Sequence, residues 1–380
     1  MYCIIKFGGT SLQDIDRIRH ASNIILKKQK NFNHKIIVVV SAMAKHTDKI
    51  THLFQDLKSE LEMAFSLSSG EMLTAGLLSA TLNTNEVKSI PVAGWQVPIL
   101  TNSNYLNASI IKVSTNYLEK ICAQSIIPVV TGFQGIDENN HITTLGRGGS
   151  DTSAVAIAAF LKLKYDNVKC EIYTDVKGIY DADPNLYSKA NLLHKVGYDT
   201  LYTMASNGAK VMHAKAVKLA KEHKIEVKIR STLKTKEKTL IKQYNNNRNA
   251  IVSQYAIWVT WNGNEKLQLQ SSTIFENAGL RCCVLYTNDS SYIHSENFRK
   301  NIESTIDFSI PSVQIHYGHK ITLIYTEDQS ISASTYFQNI MYKFDIIHFF
   351  CHATYSVAYV DSSLLHKLIE VLHDHYCVIS

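Results

Sequence analysis

Tyr2-Cys3-Ile4-Ile5-Lys6-Phe7-Gly8-Gly9-Thr10-Ser11 is the stretch on which the fold turns. Tyr2–Lys6 reads as a short apolar strand that ends at two glycines. Residues 12–29 then take helical spacing, with Leu12, Ile15, Ile18, Ala21, Ile25 and Leu26 on one face. Ile36–Val40 is a continuous β-branched run, the mark of a strand buried on both faces. Further along, Gly70–Leu82 reads as a helix and Ile126–Thr131 as a buried strand. A helix over Ser150–Leu163 follows Gly148-Gly149, with Ser150 or Asp151 as its N-cap. Cys170–Thr174 and Glu226–Arg230 read as strands flanking a helical region, Tyr198–His223, that is interrupted near Gly208. This alternation predicts an α/β fold with an open, mainly parallel sheet sandwiched by helices.

At residues 231–249 the composition turns polar and Asn-rich, which predicts a linker. Beyond it, Ile257–Trp261, Leu280–Tyr286, Tyr292–His294, Lys320–Tyr325, Ile346–Ala353 and Tyr355–Val360 read as strands. Ser271–Ala278, Phe298–Ser304, Ser334–Met341 and Ser362–Asp374 read as helices. The result is a smaller α+β region with a loose βαββα pattern twice over. The expected domains are therefore 1–232, a linker 233–249, and 250–380.

Composition narrows the function. The 380 residues are 45% hydrophobic and 19% charged, ordinary for a soluble globular protein. The net charge of +6 is mild, and no dense basic run with interleaved aromatics points to nucleic acid. No apolar run is long enough to span a bilayer, and no signal peptide is evident, so the expectation is a cytoplasmic protein without a membrane partner. Seven cysteines, none in a CxxC pair, argue against a disulfide framework or zinc site.

Ligands of open α/β sheets bind at the carboxyl ends of the strands, and five segments fall there. In the first, Gly8 and Gly9 let backbone amides approach a phosphate at a helix start, and Lys6 can neutralise a phosphoryl group. The same residues would also serve a plain strand-to-helix turn. In the second, Ser41 and Thr47 offer hydroxyls to a carboxylate or phosphate, or simply cap a helix. In the third, Glu71 near a helix start compensates the dipole or receives a substrate ammonium. The fourth is Leu145-Gly146-Arg147-Gly148-Gly149-Ser150-Asp151-Thr152. Arg147 can grip a carboxylate with two hydrogen bonds, Gly148 and Gly149 supply close amides, and Asp151 can orient Lys6. The fifth, Tyr173 to Pro184, puts Thr174 and Asp175 at a strand end, suited to a nucleotide's ribose or base or to a polar crossover loop. The sixteen histidines form no HExxH motif. The pair His373 and His375 lacks an obvious third ligand, so core or surface packing is its default.

Taken together, the chain resembles aspartate kinases of the amino-acid-kinase superfamily. The matching stretches are KFGGTS, VVVSAM with TD following, SSGE, GWQ, VVTGFQGI, TTLGRGGSDTSAVA, EIYTDVKGIYDADP, ASNGAKVMH and KIRST, over about residues 1–232. The resemblance implies transfer of the ATP γ-phosphoryl to the β-carboxylate of L-aspartate. That reaction opens the route to lysine, diaminopimelate, threonine and methionine. ATP and Mg²⁺, the metal bound mainly through the nucleotide phosphates, are the implied cofactors.

By the same resemblance Lys6 and Asp151 are the catalytic pair. Lys6, Gly8, Gly9, Thr174, Asp175, Tyr180, Asp183 and Lys210 line the ATP site. Ser41, Thr47, Glu71, Arg147, Gly148, Gly149 and Ser150 hold aspartate, or lie where it meets the γ-phosphate. The region 250–380 resembles, more weakly, a pair of ferredoxin-like ACT modules, which implies a homo-oligomer and, in many members, inhibition by lysine or threonine. Departures are Asn185 where Arg is usual, Ala44 for Gly, Ala214 for Pro, and Leu267–Ser271 and Thr326–Ser330 where Pro-Gly is customary. The alternatives are a catalytically silent, amino-acid-binding regulatory paralogue, or a sister kinase for another amino acid.

Overall fold

The structure, a computed structural model, describes residues 1–31, 35–57, 59–233, 237–244, 249–262, 274–277, 280–287, 314–325, 329–346 and 349–377. The chain forms two compact units. The first comprises Met1–Ile179, Leu193–Tyr198 and Val211–Asn245; the second comprises Tyr180–Leu192, Asp199–Lys210 and Asn246–Ser380.

The first unit begins with β1 (Tyr2–Phe7), α1 (Ile15–Asn31) and β2 (Lys35–Val40). Next come α2 (His46–Leu53), α3 (Glu60–Leu67), α4 (Ser69–Thr84) and β3 (Ser89–Val92). Then follow β4 (Ile99–Thr101), β5 (Ile110–Val113), α5 (Asn116–Ala123), β6 (Ile127–Thr131), β7 (Gln134–Ile136) and β8 (Ile142–Thr144). After α6 (Gly149–Lys162) and β9 (Val168–Thr174), the two-residue strands β10 (Ile179–Tyr180) and β11 (Leu192–Leu193) pair as a ribbon. The chain then runs through β12 (Lys195–Gly197), α7 (Tyr198–Ser206, which past Tyr198 belongs to the second unit), α8 (Ala214–Glu222), β13 (Val227–Ser231) and β14 (Lys238–Lys242).

Eight of these strands form one sheet in the order β12-β14-β13-β9-β1-β2-β6-β3, parallel except for β13 against β14. The strand β14 lies inside the stretch expected to be a linker. Its Thr239 and Ile241 are buried between Lys238 and Lys242, so the surrounding lysines mask the alternation of the strand. Strand pleating assigns the two faces of the central strands. Cys3, Ile5, Phe7, Ile36, Val38 and Val40 pack with Ile18 and Ile25 of α1 and Leu78 and Leu82 of α4. Ile4 and Lys6 alternate with these residues, and α6 packs on β1.

The second unit holds a six-stranded sheet in the order β16-β17-β15-β18-β20-β19, antiparallel throughout. Its strands are β15 (Ala250–Asn262), β16 (Ile274–Asn277), β17 (Leu280–Thr287), β18 (Gln314–Ile324), β19 (Phe349–Cys351) and β20 (Tyr355–Val360). Helices α9 (Ser330–Lys343) and α10 (Leu365–Tyr376) contribute Phe337, Met341, Leu368 and Leu372 to a core with Ile321 and Leu323. The expected helix over Ser271–Ala278 is corrected: residues 274–277 are strand, and Phe275 and Ile274 suit either element by periodicity alone. The expected strand Tyr292–His294 and helix Phe298–Ser304 lie outside the described residues, as do Leu267–Ser271 in full and Thr326–Asp328 of the second departure.

Candidate active site

Register puts the motifs on one edge. Phe7 is paired with Val40 and with Tyr173, Val40 with Thr131, and Thr174 with Ser231. The residues that follow, Gly8, Ser41, Gly132 and Asp175, therefore leave the sheet at the same level, the carboxyl ends of parallel strands. Hydroxyls stitch this edge together: Ser11 and Thr232 share a hydrogen bond of 2.5 Å, and the Thr232 hydroxyl donates to the Thr174 carbonyl at 3.1 Å.

Lys6 faces the α6 side of β1, and Asp151 sits in the first turn of α6. Their side chains meet as an ion pair at 2.6 Å, both about one-tenth exposed. The expectation that Ser150 or Asp151 caps α6 is corrected. The N-cap is Gly148, in the left-handed region at φ 68° and ψ 15°, with no side-chain cap. Asp151 is committed to Lys6 and is not available to cap. Gly148 is also required sterically, because a Cβ there would overlap the His213 Cβ. Gly9 approaches the second loop as closely: a Cβ on it would lie 2.8 Å from the Ala42 carbonyl oxygen.

Glu71, in the first turn of α4, is buried at 3% exposure. Its Oε1 accepts from the Ala42 amide at 3.0 Å, and its Oε2 has no hydrogen-bond partner among the described residues. Burial pushes its carboxyl up to about 8, against the downward pull of the Ala42 amide and of Lys6. A buried carboxylate with a spare oxygen suits a cation delivered by a ligand. The turn before it is held by Gln134, whose side-chain amide donates to the Ser68 carbonyl at 2.5 Å and whose oxygen accepts from Thr131 at 2.7 Å. Gln134 is wholly buried.

The other assigned residues are placed as follows. Ser41 is half-buried on the loop after β2. Thr47 is in α2, which starts after Lys45 at φ 65°. Arg147 is exposed on the loop before α6, Gly149 and Ser150 are buried in the first turn of α6, and the Gly149 amide donates to Gly146. Thr174 is half-buried and donates to the exposed Asp175 at 3.0 Å. Tyr180, Asp183 and Lys210 belong to the second unit. There the Asp183 carboxylate accepts from both the amide and the side chain of Asn185, at 2.9 and 3.0 Å. Asn185 thus closes a turn in place of offering a cation. Lys177 pairs with Glu237 at 3.1 Å.

One neighbour of the site escaped the sequence. His213 caps α8, its Nδ1 accepting from the Lys215 amide at 3.4 Å. The charges of Asp151 and Arg147 both act on it, and burial, the main cause, holds its pKa below the ordinary histidine value. A neutral imidazole whose Nδ1 accepts carries its proton on Nε2. The only sequence signal was its position at the end of the KVMH run.

Among the described residues, no group of three or more His, Cys, Asp or Glu side chains could hold a metal ion. No helix among the described residues is long and apolar enough to cross a membrane.

An ammonium, a buried carboxylate and glycine amides thus lie together at the carboxyl edge of the parallel sheet. The chain belongs to the amino acid kinase family, whose profile matches residues 1–231. The curated relatives it matches include the aspartokinase of Rickettsia felis, 37% identical over 315 residues, 80% of this chain and 75% of that protein. The aspartokinase of Bacillus sp. strain MGA3 is 42% identical over 241 residues, 63% of this chain and 57% of that one, so the chain spans little more than half of that relative's length. Among solved structures, Escherichia coli aspartokinase III in complex with aspartate and ADP matches 98% of this chain and 99% of its own, with a TM-score of 0.75. At 19% identity this likeness shows the fold alone.

Proposed function

We propose that this protein is an aspartate kinase, moving the γ-phosphoryl of ATP onto the β-carboxylate of L-aspartate to give 4-phospho-L-aspartate and ADP. The observation that carries the reading is the Lys6–Asp151 pair at 2.6 Å, set beside Gly8 and Gly9 at the sheet edge. The aspartokinase relatives support it.

The β-carboxylate is ionised near neutral pH, so no general base is needed. The difficulty is to bring it against a charged phosphate, and phosphoryl transfer is helped chiefly by positioning and charge neutralisation. In this reading Asp151 holds the Lys6 ammonium toward the transferring group. Glu71 receives the substrate ammonium on its spare oxygen, and Arg147 grips a substrate carboxylate. Ser41, Thr47 and Ser150 add hydroxyls, and the amides of Gly8, Gly9, Gly148 and Gly149 face the anions. Thr174, Asp175, Tyr180, Asp183 and Lys210 are assigned to the nucleotide from the sequence motifs. Mg²⁺, carried on the nucleotide phosphates, supplies further charge neutralisation when bound. As the carboxylate oxygen forms its bond to the γ-phosphorus, the bond from that phosphorus to the β-bridging oxygen breaks and ADP leaves. The C-terminal unit is proposed as a pair of ACT-like modules that joins copies of the chain.

The test is trapping with hydroxylamine. With ATP, Mg²⁺ and L-aspartate the protein is expected to yield aspartyl hydroxamate, and with glutamate or acetylglutamate little or none. No product from aspartate would reject the assignment, and product from another acid would move it to a sister kinase.

A further inference from the structure

Helix α10 grips a piece of chain whose Tyr180 and Asp183 the family motifs assign to the nucleotide. Residues 180–192 fold as part of the second unit. Ala182 and Tyr187 are buried in its core with Ile251, Phe337, Leu368 and Leu372. The Ile251 amide donates to the Asp181 carbonyl at 2.7 Å. The Asp181 carboxylate, 2% exposed, accepts from the amide and side chain of Asn191 at 2.7 and 3.0 Å, and from His373 Nε2 of α10 at 3.1 Å. A carboxylate in this position only accepts, so Nε2 is the donor. Two more contacts come from the same helix: Tyr187 Oη donates to Asp374 at 2.6 Å, and His366 Nδ1 lies 3.0 Å from the Leu186 carbonyl oxygen. His373 itself is 1% exposed. Burying such a long-range pair carries a desolvation cost that its geometry and hydrogen bonds must offset, and it fixes the segment it holds.

What it fixes is specific. Asp181 follows Tyr180 and precedes Asp183 by two residues. We propose that His373 is a positioning residue for the nucleotide: by holding Asp181 it sets the places of Tyr180 and Asp183, so the C-terminal helix tunes ATP affinity. This rests on the assignment of Tyr180 and Asp183 to ATP made above. The second excursion, 199–210, is held in a parallel way. Lys320 Nζ of β18 donates to Asn207 Oδ1 at 2.8 Å, three residues before Lys210. Gly208, at φ +110°, packs so tightly on the Gln254 side chain that a Cβ there would overlap its Oε1.

The experiment is steady-state kinetics on the full chain, with melting temperature measured alongside. His373→Ala is expected to raise KM for ATP about fivefold, a part of the worth of one hydrogen bond to a charged group transmitted to the nucleotide, while KM for aspartate and kcat stay within about twofold. His373→Gln, which keeps an N–H donor near the Nε2 position, is expected to restore most of it. Tyr187→Phe should raise KM for ATP alone, by about two- to threefold. A folded His373→Ala with unchanged KM for ATP, an equal rise in both KM values, or no rescue by Gln overturns the proposal. If His373→Ala does not fold, Tyr187→Phe decides, and an unmoved KM for ATP overturns it. Direct titration with MgATP separates the two layers. Wild-type protein that makes no acyl phosphate but binds MgATP more tightly than His373→Ala removes the function reading and keeps the positioning claim.

Discussion

The two units each bury an acid–base pair, and the pairs are built differently. Lys6–Asp151 stands at the edge of a parallel sheet, beside glycine turns and beside Glu71, whose Oε2 has no partner among the described residues. His373–Asp181 lies in the interior of the second unit, with three hydrogen bonds converging on one carboxylate. Spare hydrogen-bonding capacity at an accessible edge marks a place prepared for a ligand. A carboxylate that accepts three hydrogen bonds from within its own unit under closed packing marks a fastening. On the proposed function, the same chemistry would serve reaction in one unit and placement in the other.

The contrast is tested most severely by removing the cation at the edge. Lys6→Ala is expected to lower kcat by about 10²–10³ or more in a coupled ADP-release assay, with circular dichroism unchanged. Near-normal turnover would mean that the edge pair is a fastening too.

Glu71 gives the next largest effect, through pH. Its carboxyl, raised to about 8 by burial, must ionise to receive an ammonium. As pH falls from 8 to 6, KM for aspartate is therefore expected to rise, by up to about tenfold per unit, the limit for one linked proton. Glu71→Gln should raise KM and flatten that slope. The same variant bears on stability. A folded-state pKa above the unfolded value gives stability that is full below the unfolded pKa and is lost as pH rises through the folded one. Glu71→Gln should thus melt higher than wild type at pH 8 in a calorimetric scan and nearly equal to it at pH 5. A slope that survives in the Gln variant would assign the proton elsewhere.

The smallest effect concerns the loop that aims Asp151. Gly148→Ala places a side chain at φ 68° and against His213. A stability loss of about 1–3 kcal/mol is expected by urea unfolding. Activity should fall further than that loss accounts for, because the turn carrying Asp151 shifts. Unchanged stability would show that the loop has room to rearrange.

Most of the first unit was legible in the chain. The β-branched run Ile36–Val40 and the glycine pairs declared parallel strands and their ligand-facing ends, and Lys6, Glu71 and Asp151 followed from residue type and motif. Less visible were β14, hidden in a lysine-rich stretch, and Gln134, which looked like one polar residue among many. The cap of α6 was misread because an aspartate at a helix start has two uses, and only its distance to Lys6 shows which one it takes.

Periodicity, propensity and motif spacing are local properties, and they determined the α/β class, the strand ends and the candidate residues. Which distant side chains meet was decided by the tertiary structure alone. Pleating turns Lys6 toward α6 and its neighbours Ile5 and Phe7 toward the opposite core. Packing, and no feature of the sequence around it, brings His373 to Asp181 across 192 residues. The physical reason is that a contact between residues far apart in the chain is set by the burial of whole elements, which no short window of sequence contains.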